Sequence, residues 1–191
     1  MKILVFADLH EDMEAFEVLK EKSREVEIIL GSGDYSIFGH NLRKILQKIN
    51  GLGKKCFLIH GNHESVEEME EAIKGLENLE FIHKKKIKHK KLTVTGYGGD
   101  GFSDIDEEAE DFFSKEHTNG GVILFHGPPF GTRVDEVDYG HVGNESYTKI
   151  IKENKPSLVI CGHIHENFGK TDKLGKTILI NPGPEGVILY V

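Results

Sequence analysis

Histidine, aspartate and asparagine recur along the chain in short motifs that each follow an apolar segment. Residues 61–64 read Gly-Asn-His-Glu and come one histidine after the apolar run 56–59. A tight turn explains the glycine and the asparagine, which tolerate positive φ, but it does not explain the imidazole and the carboxylate. Imidazole, carboxylate and amide donors without a thiolate suit Mn, Fe, Zn, Co or Ni. The side chains of this kind are Asp8, His10, Asp34, Asn62, His63, His126, His163 and His165.

Five apolar runs must position these side chains, and helical patterns separate the first three runs. The runs predict buried strands at 2–7, 26–30, 55–59, 122–125 and 157–161. Apolar spacing predicts a helix from residue 12 to about 24, and a capping box of Ser65 and Glu68 predicts another that ends at about 74. A further helical face consists of Leu42, Ile45, Leu46 and Ile49. This alternation predicts an α/β fold with parallel strands in its first half.

The second half of the chain has a different pattern. Residues 81–100 alternate polar and apolar side chains, which predicts an antiparallel hairpin. Helices are expected at 104–115 and 146–153, and the Gly- and Pro-rich stretch 128–145 reads as a long loop of the kind that is often functional. Two last strands are expected within 176–183 and 186–191. With no repeat, linker or low-complexity segment, residues 1–191 are predicted to form one domain.

The polar motifs are expected to meet in one place. In an α/β sheet the carboxyl ends of parallel strands form the crevice in which ligands bind. Two aspartates, one asparagine and four histidines are too many ligands for one tetrahedral ion, and they could serve two ions that share a carboxylate. Two such ions form a clamp for a phosphoryl group and lower the pKa of a bridging water. The remaining histidine, His63, could then protonate the leaving alkoxide.

The order of the motifs resembles that of the calcineurin-like metallophosphoesterase superfamily. The motifs are Asp-Leu-His at 8–10, Gly-Asp at 33–34, Gly-Asn-His-Glu at 61–64, His-Gly-Pro at 126–128 and Gly-His-Ile-His at 162–165. The resemblance implies two facing mixed β-sheets flanked by helices, a four-layer α/β/β/α sandwich in which the C-terminal strands complete the second sheet. It also implies two divalent metal ions, with Mn favoured over Fe, Zn, Ni or Co, and His63 as the general acid.

The resemblance further implies how the ligands divide between the two ions. The first ion would take Asp8, His10, Asp34 and His165. The second ion would share Asp34 and add Asn62, His126 and His163. The implied reaction is hydrolysis of a phosphoester by attack of a hydroxide that bridges the two metals.

Two residues outside the motifs are predicted to contact substrate. His141 lies in the sequence Tyr-Gly-His-Val-Gly-Asn, and this segment together with His-Gly-Pro-Pro-Phe-Gly-Thr at 126–132 looks like phosphoesterases related to the Icc group, including archaeal members. Tyr35 follows the bridging candidate directly, and its alternative role is packing in the wall of the site. Surface or packing roles are expected for the other histidines, which are His40, His60, His83, His89 and His117.

The charge of the chain limits the class of partner. The net charge is −8, whereas a binder of long nucleic acid needs a basic field, so a nucleic-acid partner is not expected. Residues 83–91 nevertheless hold six lysines. Such a run can guide phosphate-bearing substrates, or it can be a solvated turn or an edge strand that lysine protects from pairing. The second role is favoured.

The substrate is expected to be a small phosphodiester. Protein phosphatases of the family follow Gly-Asp with a downstream arginine, whereas this chain reads Gly-Asp-Tyr-Ser-Ile-Phe-Gly-His at 33–40. Nuclease members carry further domains for DNA, which are not seen in these 191 residues. The open alternatives are a phosphomonoesterase or nucleotidase on the same site and, less favoured, a non-catalytic scaffold of the same fold.

The two cysteines and the lengths of the apolar runs indicate the cellular compartment of the protein. Cys56 and Cys161 both lie in or at the end of apolar runs, so they are expected to be buried reduced thiols and not a disulfide framework. The N-terminal apolar run is too short for a signal peptide, and no run approaches the length of a membrane span. A cytoplasmic protein without membrane contact is predicted, and a homo-oligomer is left open.

Overall fold

The computed structural model describes residues 1–99 and 103–191. Strands and helices alternate in the first half of this described part, and runs of consecutive strands occur in the second half. In chain order its elements are β1 (Lys2–Phe6), α1 (Met13–Ser23), β2 (Ile28–Gly31), α2 (Leu42–Asn50), β3 (Lys55–Leu58), α3 (Val66–Ala72), β4 (Leu79–Phe81), β5 (Lys85–His89), β6 (Leu92–Tyr97), α4 (Glu107–Lys115), β7 (Val122–Phe125), β8 (Glu136–Val137), β9 (Gly140–His141), α5 (Glu145–Asn154), β10 (Leu158–Ile160), β11 (Thr171–Leu174), β12 (Thr177–Ile180) and β13 (Val187–Tyr190).

Two mixed sheets contain all but two of these strands. The first sheet has the order β13-β1-β2-β3-β4, in which β1 to β4 run parallel and β13 pairs antiparallel with β1. The second has the order β11-β12-β10-β7-β6-β5, with parallel inner strands and an antiparallel strand at each edge. The strands β8 and β9 form a separate small hairpin. The predicted pair of mixed sheets is therefore confirmed.

Alternation along the strands divides the side chains between layers. Side chains of a strand point alternately to its two faces. Ile3 and Val5 of β1 join a buried cluster with β2, β3, β6, β7 and β10, so the two sheets pack against each other through this cluster. Leu4 and Phe6 of the same strand join the cluster that contains the apolar faces of α1, α2 and α3. The opposite face of the second sheet packs with α4 and α5, which completes the four predicted layers.

The local predictions for the first half hold closely. The helix expected after residue 12 begins at Met13, and the side chain of Asp12 caps it by accepting from the Glu14 and Ala15 amides. The predicted capping box of Ser65 and Glu68 is present at the start of α3. All four residues expected on the buried face of α2 are buried.

The edges of the sheets differ from the predictions. The C-terminal strands were expected to complete the second sheet together, but only β12 joins it, and β13 pairs with β1 in the first sheet. The exposed strand β11 was not predicted. The expected hairpin is formed by β5 and β6, and the last residue of the stretch 81–100, Asp100, lies outside the described residues. The stretch 128–145 is not structureless, because it contains β8 and β9.

Candidate dinuclear metal centre

The polar motifs project from the carboxyl ends of strands in both sheets. Asp8, Asp34 and Asn62 follow the parallel strands β1, β2 and β3 of the first sheet, whereas His126 and His163 follow β7 and β10 of the second. The site therefore lies where two sheets meet, and not along the edge of one. We call its seven predicted ligands the acceptor cluster, which consists of Asp8, His10, Asp34, Asn62, His126, His163 and His165.

Strained backbone holds several members of the acceptor cluster. The φ angles are 55° at Asp8, 44° at His10, 55° at Asp34 and 70° at His163, all in the left-handed region that non-glycine residues rarely adopt. Each such residue costs on the order of 1 kcal/mol or more and persists only where the surrounding structure enforces it. Strain of this kind concentrates at functional sites, and here it turns the side chains of four loop residues toward one point.

The glycines of two motifs are needed because the loops approach each other closely. A Cβ atom at Gly61 would lie 2.1 Å from Asp34 Oδ1 and 2.7 Å from His126 Cε1. At Gly162 a Cβ atom would lie 2.4 Å from Asp8 Oδ2. Any larger residue would push these loops apart, which explains why glycine precedes Asn62 and His163.

Donor atoms of the acceptor cluster converge to within a few ångström. His126 Nε2 and His163 Nδ1 each lie 2.9 Å from Asn62 Oδ1, and His126 Nε2 lies 3.4 Å from Asp34 Oδ2. On the other side of Asp34, His10 Nε2 lies 3.6 Å from the same Asp34 Oδ2 and 3.2 Å from His165 Nε2. Asp34 thus stands between the two halves of the cluster, which is the position expected of a carboxylate shared by two ions.

Three overlapping triads describe the same geometry. In each triad one ligand atom per residue lies within 4.8 Å of the others. The triads are Asp8–His10–His165, Asp8–Asp34–His126 and His10–Asp34–His63. Every residue in them comes from the set predicted from sequence.

Two backbone carbonyls determine which imidazole nitrogens face the acceptor cluster. His10 Nδ1 lies 3.2 Å from the Ser36 carbonyl oxygen, and His126 Nδ1 lies 2.8 Å from the Ser32 carbonyl oxygen. A carbonyl only accepts, so each Nδ1 carries a proton and donates it, and the lone pair of each neutral ring is at Nε2. Outer hydrogen bonds of this kind orient histidines that bind metals.

The cluster fits divalent cations because its inner atoms are imidazole nitrogens and amide or carboxylate oxygens that lie close together. His126 Nε2 faces the Asn62 amide oxygen and the Asp34 carboxylate, and His10 Nε2 faces a second imidazole nitrogen. Each of these close pairs can share either a proton, as a hydrogen bond, or a cation that both atoms bind. The nitrogen and oxygen donor set, without thiolate, matches Mn, Fe, Zn, Co or Ni.

The pKa values of the site residues show that the two carboxylates of the cluster need a positive charge beside them. Burial alone would lower the pKa of His126, but the hydrogen bond and charge of Asp34, helped by Asp8, raise it to about 9. Burial would raise the pKa of Asp34, yet His126 and His63 outweigh it and lower that pKa to about 2. Burial dominates at Asp8 and raises the pKa of its carboxyl group. A proton on His126 and a metal ion are thus alternative ways to balance the two carboxylates.

A buried carboxylate outside the acceptor cluster ties two of its loops together. Glu64 is 4% exposed and accepts from the Asp34 amide at 3.1 Å, the Ser36 amide at 2.8 Å and the Ser36 hydroxyl at 2.8 Å. Burial and the charge of Asp34 raise the pKa of Glu64 to about 7 against the opposing hydrogen bonds from Ser36. The sequence analysis noted Glu64 only as part of a motif, and its position directly after His63 was the available signal.

The predicted general acid stands beside the acceptor cluster. His63 Nε2 lies 4.0 Å from Asp34 Oδ2, and the His63 backbone amide donates to Asp34 Oδ1 at 2.9 Å. The Phe38 amide donates to His63 Nδ1 at 3.3 Å, so the neutral ring has its proton on Nε2, the nitrogen that faces the site. This arrangement can deliver a proton to a group bound at the cluster.

The two predicted substrate contacts occupy different places. Tyr35 is completely buried, and its hydroxyl donates to the Ile59 carbonyl oxygen at 2.8 Å, so its side chain is a packing group that substrate does not reach. His141 lies on β9, where its Nδ1 is 2.9 Å from the buried Asp135 carboxylate and its ring contacts Phe130. The structure thus supports the packing alternative for Tyr35 and leaves His141 as a prediction.

The cysteines fit structural roles. Cys56 and Cys161 are both free and buried, as expected. Burial raises the pKa of the Cys56 thiol to about 12, which removes its nucleophilic thiolate at neutral pH. No helix among residues 1–99 and 103–191 has both the length and the apolar character needed to cross a membrane.

Known proteins resemble this chain in sequence and in fold. A protein of Methanocaldococcus jannaschii described as the uncharacterized protein MJ1162 is 27% identical, over all of this chain and 91% of its own length. The crystal structure of TT1561 of Thermus thermophilus superposes with a TM-score of 0.76 at 15% identity, covering 95% of this chain and 88% of that one. A dimetal phosphatase from Danio rerio superposes with a TM-score of 0.60 at 10% identity, covering 94% and 86%.

The comparison that decides the family is made on sequence. The two structural matches share less than a quarter of their residues with this chain, so they support the fold alone. The profile of the calcineurin-like phosphoesterases matches residues 1–167, a range that contains all the motifs described above. The chain is a member of the calcineurin-like phosphoesterase family, which is a family of metal-dependent enzymes.

Proposed function

We propose that residues 1–191 act as one catalytic domain that hydrolyses a small phosphodiester with the help of two divalent metal ions. The observation that supports this most directly is the acceptor cluster itself. His126 Nε2 lies 2.9 Å from Asn62 Oδ1 and 3.4 Å from Asp34 Oδ2, and His10 Nε2 lies 3.2 Å from His165 Nε2, so nitrogen and oxygen donors gather around a shared carboxylate. Such a set of converging donors is suited to binding divalent cations.

The proposed ligands divide on either side of Asp34. One ion would be held by Asp8, His10, Asp34 and His165, and the other by Asp34, Asn62, His126 and His163. Mn is the favoured metal, with Fe, Zn, Ni and Co as alternatives of the same ligand preference. When bound, such a pair of ions supplies an activated water as nucleophile and neutralises charge on the phosphoryl group. The Danio rerio protein is described as a dimetal phosphatase, which supports the same use of this fold here.

His63 would supply the proton for the leaving group. Its Nε2–H points at the acceptor cluster because the Phe38 amide occupies Nδ1. An alkoxide leaves poorly unless it is protonated as the phosphorus–oxygen bond breaks, and a positioned general acid typically contributes 10²- to 10⁴-fold. Asp34 is ionised at neutral pH, and its carboxylate oxygen Oδ2 lies 4.0 Å from the Nε2 atom that would deliver the proton.

Assays of three phosphoesters with each of five metals test the proposal. The purified protein, loaded in turn with Mn, Fe, Zn, Co or Ni, is assayed with bis-p-nitrophenyl phosphate, p-nitrophenyl phosphate and a diester with an alkoxide leaving group. Preference for the diesters supports the proposed reaction. Preference for p-nitrophenyl phosphate supports the phosphomonoesterase alternative, and the absence of turnover with every metal supports a non-catalytic scaffold.

A substitution of His63 tests the acid separately. In His63→Ala we expect kcat to fall about 10²- to 10⁴-fold for the alkoxide leaving group, and much less for p-nitrophenolate, which leaves without a proton. His117→Ala is the matched control, since His117 is an exposed histidine with no part in the site. Equal losses for both leaving groups in His63→Ala would contradict the acid role.

A further inference from the structure

Five aromatic rings form a continuous series of contacts across the metal centre. Ring centroids are 4.2 Å apart for Phe38 and His63, 4.6 Å for His63 and His10, 5.1 Å for His10 and His165, and 4.9 Å for His165 and Phe168. The three inner rings are histidines of the proposed site, and the two end rings are phenylalanines. One phenyl ring therefore lies beside the proposed acid, and the other lies beside a proposed ligand at the other end of the series.

The phenyl ring of Phe38 is exposed at a position where the fold does not need it. Its residue is 77% exposed, and the ring stacks on His63 with an interplanar angle of only 20°. Phe38 and Gly39 are the two central residues of a tight turn closed by the pairing of Ile37 with His40, and both have positive φ. Glycine and asparagine are the favoured residues in such turns, so a bulky aromatic residue here costs stability.

Phe168 is anchored more firmly and is still partly exposed. Its residue is 37% exposed, and its ring is tilted by 32° against His165. On its other side the ring lies against Gly183, where a Cβ atom would come within 2.9 Å of Phe168 Cγ. Gly183 thus leaves room for the ring and holds it next to the metal centre.

We propose that Phe38 and Phe168 bind the two organic groups of the substrate, and that these groups are flat and apolar or aromatic. The proposal rests on the phosphodiesterase function proposed above and narrows its substrate class. A phosphodiester has one organic group on each side of its phosphorus atom, and the structure offers one exposed phenyl ring at each end of a series of rings that includes two proposed ligands, His10 and His165. Aromatic groups such as aryl esters or nucleobases gain binding energy by stacking on such rings.

The two rings would have different roles. Phe38 stacks on His63, the proposed proton donor, so it would contact the leaving group. Phe168 packs on His165 at the other end of the series, so it would contact the organic group that stays on the phosphate. This assignment makes the two rings separable by experiment.

Two diesters with the same leaving group test the assignment. Bis-p-nitrophenyl phosphate and methyl p-nitrophenyl phosphate both release p-nitrophenolate, but only the first retains an aromatic group. We expect Phe38→Ala to raise KM about tenfold for both substrates, because each presents an aromatic leaving group. We expect Phe168→Ala to raise KM about tenfold for the first substrate only, because the second retains a methyl group.

Controls separate binding from positioning and from failure of the proposed function. Tyr190→Ala removes an aromatic residue that is also 77% exposed, at the opposite end of β1 from Asp8, and should change neither KM. Phe38→Tyr should restore the KM of the wild-type protein for both diesters.

A fall in kcat with unchanged KM in Phe38→Ala would mean that the ring only positions His63 and would overturn the proposal. Turnover of both diesters that neither substitution alters would also overturn it, whereas a wild-type protein that cleaves no diester would instead contradict the proposed function.

Discussion

The acceptor cluster and the lysine-rich segment 83–91 are both dense in polar residues, but their charges are balanced in opposite ways. In the lysine-rich segment, positive groups meet acidic partners from other elements: Lys84 contacts Glu108, Lys86 contacts Glu116 and Lys90 contacts Glu27. In the acceptor cluster, the buried carboxylates of Asp8 and Asp34 lie among imidazoles, which balance their charge only when an imidazole is protonated or a cation binds. Three lysines of the segment are thus paired with acidic residues, whereas the acceptor cluster takes its counter-charge from a proton or a cation.

The difference shows how a functional site can be recognised from its local energetics. Three of the six lysines, Lys85, Lys86 and Lys88, lie on β5, which is an edge strand of the second sheet, and lysines at an edge discourage pairing with other chains. Exposed ion pairs contribute little to stability and cost little to remove. The acceptor cluster instead combines positive φ with two buried carboxylates, those of Asp8 and Asp34, whose charges need a positive group beside them. We conclude that unbalanced buried polarity marks the site better than charge density does.

The largest effect is expected where the acceptor cluster depends on Glu64. In Glu64→Ala the buried amides of Asp34 and Ser36 lose their acceptor, which should lower the free energy of unfolding by about 3–5 kcal/mol. The loop that carries Asp34 would move, and a shift of about 1 Å at the chemistry typically costs about 10²-fold in rate. Denaturant unfolding and kcat of the metal-loaded protein measure the two effects.

Glu64→Gln is the matched control for that prediction. Its amide keeps one oxygen that can accept from the Ser36 amide, so we expect roughly half of the loss in stability. If Glu64→Ala unfolds at the same denaturant concentration as the wild type, then Glu64 does not hold the two loops together and the acceptor cluster is positioned by its strands alone.

The second-largest effect is expected in thermal stability when metal is added to the acceptor cluster or removed from it. Metal added at about 100 times its dissociation constant should stabilise the protein by about 2.7 kcal/mol, because it binds the folded state and not the unfolded chain. For a chain of this size the midpoint of thermal unfolding should rise by about 5–10 °C. Thermal unfolding with Mn²⁺ and with a chelator measures the shift.

Asp34→Asn tests whether this shift comes from the acceptor cluster. Asp34 lies between the two halves of the cluster and is the carboxylate proposed to serve both ions. Replacing this carboxylate with the side-chain amide of asparagine should therefore abolish most of the metal-dependent shift. His117→Ala, which changes an exposed histidine, should retain the full shift. A shift that persists unchanged in Asp34→Asn would place the bound metal elsewhere on the molecule.

Much of the site could be predicted because its signal is local in sequence. Each ligand follows an apolar run by a few residues, and burial of parallel strands on both faces makes those runs recognisable. The predictions were less successful where pairing is non-local. The run 187–190 indicates a strand, but nothing in it indicates that β13 would pair with β1 rather than join the second sheet. The exposed strand β11 has no apolar pattern to detect.

The direction in which a side chain points was the other feature that the sequence did not predict. Tyr35 is adjacent to Asp34 in sequence, yet its hydroxyl turns inward to the Ile59 carbonyl group. The carbonyls of Ser32 and Ser36, which orient His126 and His10, have no signature in the residue type, since every residue has a carbonyl. These contacts depend on where two loops meet, and that position is fixed by the packing of the two sheets.

The smallest effect is expected in the lysine-rich segment. Lys86 lies 3.2 Å from Glu116, and both side chains are about a third exposed, so Lys86→Ala should lower the free energy of unfolding by no more than about 0.5 kcal/mol. Activity toward either diester should not change, because β5 lies at the edge of the second sheet, whereas the ligands that this sheet contributes follow its inner strands β7 and β10. Increasing salt should reduce even this small difference, since screening weakens exposed pairs. A severalfold rise in KM for Lys86→Ala at low salt would instead show that the lysines guide the substrate, and the contrast between the two regions would then be one of degree.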